Sequence, residues 1–250
     1  MQHSILMMNH GKHVLCEKPV ASNGQELEEM LATAEKSQVV FLEAVRQIYM
    51  PGFQVIKENL TKLGKIRRAT FPYCKYSSRY DNFKKGIIEN AFRPELSNGA
   101  LMDIGVYGVH MLGALFGMPE RMQSACIKLS NGVDAEGTIL AEYDGMLAEV
   151  MYSKVSNQKL PVQIQGEEGT MLIDQLTDPV KIQMFFRDGR EEVSELSEEE
   201  PAMVYEIRTF AELVKYGEVR HPYLENSRTE MQITDEVRRQ QQIVFPADQR

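Results

Sequence analysis

The sequence predicts a fragment of parallel α/β sheet followed by an α+β domain built on one large, open antiparallel β-sheet flanked by helices. Three observations carry this. Two short apolar runs, 13–16 and 39–45, flank a stretch of helical periodicity, the pattern of a crossover between parallel strands. From Arg121 onward, short strand-like runs follow one another with turn residues between them, which favours antiparallel pairing. Longer helical patterns in the middle and at the end supply cover for the sheet.

The elements follow in order. A helix over 4–9 closes at Gly11, and the buried strand 13–16 ends before Pro19. Ser22 or Asn23 caps the next helix, with Glu26 near the capping-box position and Leu27, Met30, Leu31 and Ala34 at helical spacing. Strand 39–45 completes the crossover. After Pro51 a helix over 52–63 stops at Gly64, and a strand runs over 66–73. Residues 76–98 read as a long loop with Tyr76, Tyr80, Phe83 and Phe92 interspersed, a length that points to function. A helix over 99–116 follows. Strands are expected at 122–129, 135–143, 147–155, 160–165, 170–173 and 180–186, with turns at Asn131-Gly132, Asp144-Gly145, Glu168-Gly169 and Asp188-Gly189. The acidic run 191–200 reads as a solvated connection, and helices over 202–216 and 227–242 close the chain. A single crossover has two exposed edges and little core, so partner strands are expected from outside these residues.

Composition bounds the class. At 250 residues with 43% hydrophobic and 26% charged content, the chain is an ordinary soluble globular protein. A net charge of -8 argues against nucleic acid, and Lys65-Ile66-Arg67-Arg68 reads as a solvated strand entry. Cys16, Cys74 and Cys126 match no metal spacing and read as buried free thiols of a reducing cytoplasm. The N-terminus has no signal-peptide pattern, and Asp103, His110 and several glycines interrupt the most apolar stretch, 99–117, arguing against a membrane span.

The chemistry-bearing residues gather at two places. In open α/β sheets ligands collect beyond the carboxyl ends of the strands, where Glu17-Lys18-Pro19 stands. A lysine partly withdrawn from water gives up its proton more readily, which makes Lys18 a candidate proton acceptor, or else a surface lysine in a turn. Arg46 follows the second strand at the same edge. It can pair with a carboxylate or phosphate, or simply hold Glu43. Asp103, Tyr107 and His110 fall at i, i+4 and i+7 of one helix, within about 60° of one another. Such a stripe can hold a hydroxylated substrate, or be a solvated face or a satisfied buried hydrogen-bond set. Asp103 with His110 lacks further ligands at helical or hairpin spacing, so no metal is expected. There is no G-x-G-x-x-G turn and no P-loop, and Gly105 and Gly108 lie mid-helix, where they permit close packing.

The segment Gly11-Lys12-His13-Val14-Leu15-Cys16-Glu17-Lys18-Pro19 and the run from Asn98 through Asp103 and Tyr107 to His110 resemble the glucose-fructose oxidoreductase / inositol dehydrogenase (Gfo/Idh/MocA) family. So do Glu43-Ala44 followed by Pro51, the Gly166-Glu167 to Gly169-Thr170 hairpin, and Val237-Arg238 with Phe245-Pro246-Ala247-Asp248. The similarity spans essentially the whole chain. It implies a Rossmann domain binding NAD or NADP, of which residues 1–50 are the C-terminal remnant. It further implies a substrate and oligomerisation domain over 51–225, and a C-terminal helix and tail over 226–250 that pack back. Lys18, Tyr107 and Asp103 match the family's catalytic positions. His110 and Arg46 are expected at the substrate, and Glu17, Lys18, Pro19 and Arg46 at the cofactor. Members carry roughly 70 to 80 further residues ahead of the first segment, including the glycine fingerprint, so a truncated form is expected. The expected activity is hydride transfer between a nicotinamide and a sugar, polyol or related cyclic alcohol. The alternative is a non-catalytic homologue serving ligand binding or dimerisation. A homodimer or tetramer through the antiparallel sheet is expected, with no nucleic-acid or membrane partner.

Overall fold

The computed structural model describes residues 1–196 and 200–249. Helix α1 (Gln2–Asn9) leads into β1 (Val14–Glu17), and α2 (Gly24–Ser37) crosses over to β2 (Phe41–Ala44). The two strands pair in parallel, with Val14 opposite Phe41 and Glu17 opposite Ala44. Asn23 is the cap: its side chain accepts the Glu26 N–H at 2.9 Å, while Glu26 reaches back to the Ser22 N–H at 3.1 Å. Leu27, Met30, Leu31 and Ala34 bury the inner face of α2. The Lys18–Pro19 bond is cis.

Beyond α3 (Pro51–Asn59) and β3 (Ile66–Cys74), the chain makes a long excursion before the remaining strands. These are β4 (Arg121–Lys128), β5 (Asp134–Tyr143), β6 (Met146–Ser153), β7 (Val162–Gly166), β8 (Gly169–Ile173), β9 (Lys181–Phe186) and β10 (Glu191–Glu195). Together with β3 they form an eight-stranded sheet in the order β10-β9-β8-β7-β3-β6-β5-β4. The sheet is mixed, not purely antiparallel: β3 and β6 run parallel, with Arg68 opposite Leu147. The cause is topological. The chain returns from its excursion to the far edge, and the β4–β5–β6 meander then arrives beside β3 in the same direction.

Three local expectations are corrected. The segment 76–98 is not structureless: α4 (Ser78–Lys84) and two short 3-10 turns, Asn90–Phe92 and Pro94–Leu96, give it shape. Phe92 and Ala91 bury against Val133, with Tyr80 and Phe83 packed around them. The acidic run contains β10, an edge strand whose charges suit its exposed position; its part over 197–199 lies outside the described residues. The three cysteines are free, but half-buried, not buried.

The helix expected over 99–116 opens with a π-helical turn, Leu101–Gly105, and continues as α5 (Val106–Phe116). It lies against the sheet because Gly105 and Gly108 face it. A Cβ at 105 would sit 2.9 Å from the Tyr152 ring, and one at 108 would sit 2.6 Å from Val150 Cγ1. Pro94–Phe116 is apolar enough for a membrane span, yet 67% of its most apolar window is buried inside the fold, as in a core helix. Phe71, Leu101, Val109, Leu112, Ile139, Val150 and Ile233 share the main core. Of the last two helices, α6 (Met203–Tyr216) packs by the 3-10 turn Arg46–Ile48. The other, α7 (Tyr223–Gln241), packs on α5, α2, β2 and β4 and so joins the two sheets.

Candidate active site

The carboxyl ends of β1 and β2 place Lys18 and Arg46 side by side, and α5 brings its first turns to meet them. The Lys18 ammonium donates to the Asp103 backbone carbonyl at 2.5 Å and stands 3.2 Å from Asp103 Oδ1. Its Nζ is also 4.8 Å from the centre of the Tyr107 ring. Arg46 lies 6.0 Å from the same ring and grips Asp178 with two hydrogen bonds, of 3.1 and 2.8 Å. Of the readings open for Arg46, the carboxylate pair is the one formed, with Asp178 and not Glu43. Tyr73 meets Tyr107 edge to face at 5.6 Å. A cleft of about 270 Å³ opens beside Lys18, lined by Cys16, Pro19, Ser22, Asn98 and Asp103 among others.

The π-helical turn is held by a residue from another strand. Asp134, buried at the start of β5, accepts the Leu101 N–H at 2.6 Å. Gly99 makes room for that carboxylate, since a Cβ there would lie 2.0 Å from Asp134 Oδ1. Burial pushes the Asp134 carboxyl up to about 6, against the pull of backbone N–H donors.

Lys154 completes the site. It follows β6, its side chain is only 3% exposed, and its Nζ pairs with Asp103 Oδ2 while lying 4.9 Å from the Phe92 ring centre. Burial alone would raise the Asp103 carboxyl, but the ammoniums of Lys154 and Lys18 hold it below the usual carboxylate range. Burial lowers Lys154, with Asp103 opposing. Burial also pushes the Tyr107 phenol up to about 12; Arg46 opposes this and Asp103 adds to it. One carboxylate thus bridges two ammoniums beside a phenol that stays protonated at neutral pH. Lys154 was not singled out in the sequence, although it left a signal. Ala148, Val150 and Tyr152 are buried by strand alternation, and a lysine next in that phase is out of place unless paired.

His110 is corrected. It is 1% exposed and offers a substrate no free surface, its Nδ1 lying 2.5 Å from Glu230 Oε2. Three residues of regular α-helix, roughly 60° of rotation, separate His110 from Tyr107, enough to set it against Glu230 of α7. The alternative of a buried hydrogen-bond set holds for His110, while Asp103 and Tyr107 face Lys18. Donor atoms of His110, Glu43 and Glu230 all lie within 4.8 Å of one another, as in a metal site. The 2.5 Å separation is that of a hydrogen bond, whereas two ligand atoms on one tetrahedral zinc stand roughly 3.3 Å apart.

Residues 56–172 match the GFO/IDH/MocA C-terminal domain, and residues 1–45 match the oxidoreductase family with an NAD-binding Rossmann fold. The chain belongs to the GFO/IDH/MocA oxidoreductases. This family's members are NAD(P)-dependent enzymes. Among its relatives is the scyllo-inositol 2-dehydrogenase (NADP(+)) IolU of Bacillus subtilis, 47% identical over 99% of this chain and 76% of that protein. An uncharacterized oxidoreductase of Escherichia coli, YgjR, is 38% identical over 97% of this chain and 74% of that protein. A 3-ketoreductase from Actinomadura kijaniata, solved with NADP and TDP-benzene, shares the fold. Its TM-score is 0.83 at 19% identity, covering 96% of this chain and 74% of that one.

Proposed function

We propose that this chain serves NADP-linked oxidation and reduction of a cyclic polyol, sugar or related cyclic alcohol, with Lys18, Tyr107 and Asp103 as its catalytic group. The observation that carries this reading is the meeting of Lys18, Tyr107 and the twice-paired Asp103 at the carboxyl edge of a parallel strand pair. The polyol class and NADP follow the relative with 47% identity.

The family's dinucleotide fits the residues present at its nicotinamide end. Glu17, Lys18, Pro19 and Arg46 line the strand edge, and Lys18 and Pro19 border the cleft beside it. The 250 residues contain no glycine fingerprint for the pyrophosphate. When bound, the nicotinamide supplies the hydride acceptor or donor. In oxidation Lys18, once its ammonium has released a proton to solvent, takes up the proton that leaves the substrate hydroxyl, the Tyr107 phenol accepting that hydrogen as it passes its own to Lys18. In reduction the ammonium and the phenol return a proton to the carbonyl oxygen by the same path. Asp103, kept ionised by two ammoniums, accepts hydrogen bonds from neighbouring hydroxyls and orients the ring.

Residues 1–50 make up the cofactor-facing unit, 51–225 the substrate unit, and 226–250 the closing helix and tail. The sheet face away from α5, with Leu147 and Ile127 exposed, is where a homodimer or tetramer would form. Titration of NADPH fluorescence, followed by NADP-dependent oxidation of a panel of inositols and sugars, tests the proposal. Absence of both binding and turnover would sink it.

A further inference from the structure

Glu43 places a carboxyl group inside a strand whose every residue is buried. The Lys18–Tyr107 pairing leaves it without a role, yet its contacts reach the segments that carry both residues. Oε1 accepts the Val20 N–H at 2.9 Å, two residues beyond Lys18 and immediately after Pro19. Oε2 accepts the Ser227 hydroxyl at 2.6 Å and lies 4.0 Å from His110 Nδ1. Its own backbone carbonyl accepts the Tyr49 hydroxyl at 2.7 Å. His110 sits one turn after Tyr107 on α5 and bonds to Glu230 of α7, the helix that also carries Ser227.

Three parts of the chain therefore converge on one buried group of side chains: β2, the helix of the site, and the closing helix. Such a group has few ways to rearrange, since any polar atom released would stay buried without a partner. Glu230 Oε1 and His110 Nε2 already lack partners among the described residues. Lys18 and Tyr107 stand on different elements, with 88 residues of chain between them, and no backbone hydrogen bond joins their two segments among the described residues. The Lys18–Asp103 contacts tie only the tip of the lysine to the helix, so the backbone of its turn needs something else to set it.

We infer that Glu43 is a positioning residue: it fixes the turn bearing Lys18 through Val20, and registers that turn against the helix bearing Tyr107 through Ser227, His110 and Glu230. This rests on Lys18 and Tyr107 being the reacting pair. Burial, with Glu230 adding, pushes the Glu43 carboxyl up to about 8, so the neutral acid predominates at neutral pH and glutamine is its close mimic.

The test needs no turnover, so its failure is distinct from a failure of the proposed activity. Two quantities are read on the full 250-residue chain: hydrogen exchange of the Val20 amide, and the rate at which trinitrobenzenesulfonate labels Lys18, with β7 and β8 amides as controls. Glu43→Leu accelerates both about tenfold, the scale of one lost hydrogen bond, and leaves the controls unchanged. Glu43→Gln restores both to within about twofold. Should Glu43→Leu fail to fold, Ser227→Ala carries the test, with about threefold faster Val20 exchange. Val20 exchange and Lys18 labelling unchanged in a folded Glu43→Leu or Ser227→Ala protein overturn the proposal. So does equal acceleration of the control amides, the mark of general loosening.

Discussion

The Lys18 ammonium lies 4.8 Å from the centre of the Tyr107 ring, a cation held over a phenol by elements that meet only in the folded chain. The same ammonium donates to the Asp103 backbone carbonyl, so its position is fixed to the turn of helix just before Tyr107. In the proposed mechanism, removing either partner removes a proton carrier without opening the core. We expect Lys18→Ala and Tyr107→Phe each to lower kcat by about a hundredfold or more, the usual weight of general acid–base groups. NADPH affinity should change far less in Tyr107→Phe than in Lys18→Ala, because only Lys18 stands on the strand edge. Steady-state kinetics with a fluorescence titration would show it, and normal turnover in Lys18→Ala would remove Lys18 from the mechanism.

Lys154 tests a different point. Asp103 is shared between two ammoniums, and neither holds it alone. Lys154→Met leaves Asp103 to Lys18, which becomes tied in a full ion pair and is less free to exchange a proton. The expected result is a fall in kcat of about tenfold, with Tm lower by a few degrees, because removing one member of a partly buried pair costs stability. Lys154→Arg keeps the charge but forces a larger head against Phe92, so its Tm falls while its kcat stays nearer wild type. Equal kcat in Lys154→Met and wild type would refute the division of Asp103 between the two lysines.

How far the site could be read from the chain follows from what each residue depends on. Lys18, Asp103 and Tyr107 were legible because a strand end and a helical spacing are local properties. Lys154 and Glu43 left only the faint mark of a charge in a buried strand phase; their partners lie 51 and 184 residues away and are set by tertiary packing. The burial of His110 was hidden because its partner, Glu230 of α7, lies 120 residues away in the chain. The parallel pairing of β3 with β6 was hidden for a similar reason: each strand pattern is local, but the direction in which two strands meet depends on the path of the excursion between them.

Gly52 offers a test of how the site is supported from behind. It opens α3 against the Asp178–Pro179 corner, and a Cβ there would lie 1.8 Å from the Pro179 carbonyl oxygen. A backbone atom cannot swing aside as a side chain does, so Gly52→Ala must displace the corner that carries the Arg46 partner. We expect a loss of about 3 kcal/mol, which lowers Tm by roughly 9 °C, together with a smaller loss of activity as Arg46 is released. A thermal melt matching wild type would show that the corner yields freely.

Stability should fall as pH rises from about 6.5 to 8.5, against the habit of many proteins to be steady there. Burial raises Glu43 to about 8, and raises Glu206 to about 7 with Glu17 adding and Arg46 opposing. A carboxyl raised in the fold binds its proton more tightly than in the unfolded chain. Its stabilisation is therefore complete below the unfolded value and is lost as pH rises through the folded one. His110 and His221, both lowered by burial, act in the opposite sense, favouring the fold above their unfolded value near 6.5 and losing that contribution at lower pH. The window above 6.5 is therefore governed by the carboxyls. Glu43→Gln cannot ionise, so its Tm should fall less steeply than that of wild type. The difference is at most about 1.4 kcal/mol per pH unit, or roughly 4 °C per unit. Thermal melts of the two proteins at half-unit steps from pH 6.5 to 8.5 decide the matter: parallel curves would mean that Glu43 is already ionised in the fold throughout this range.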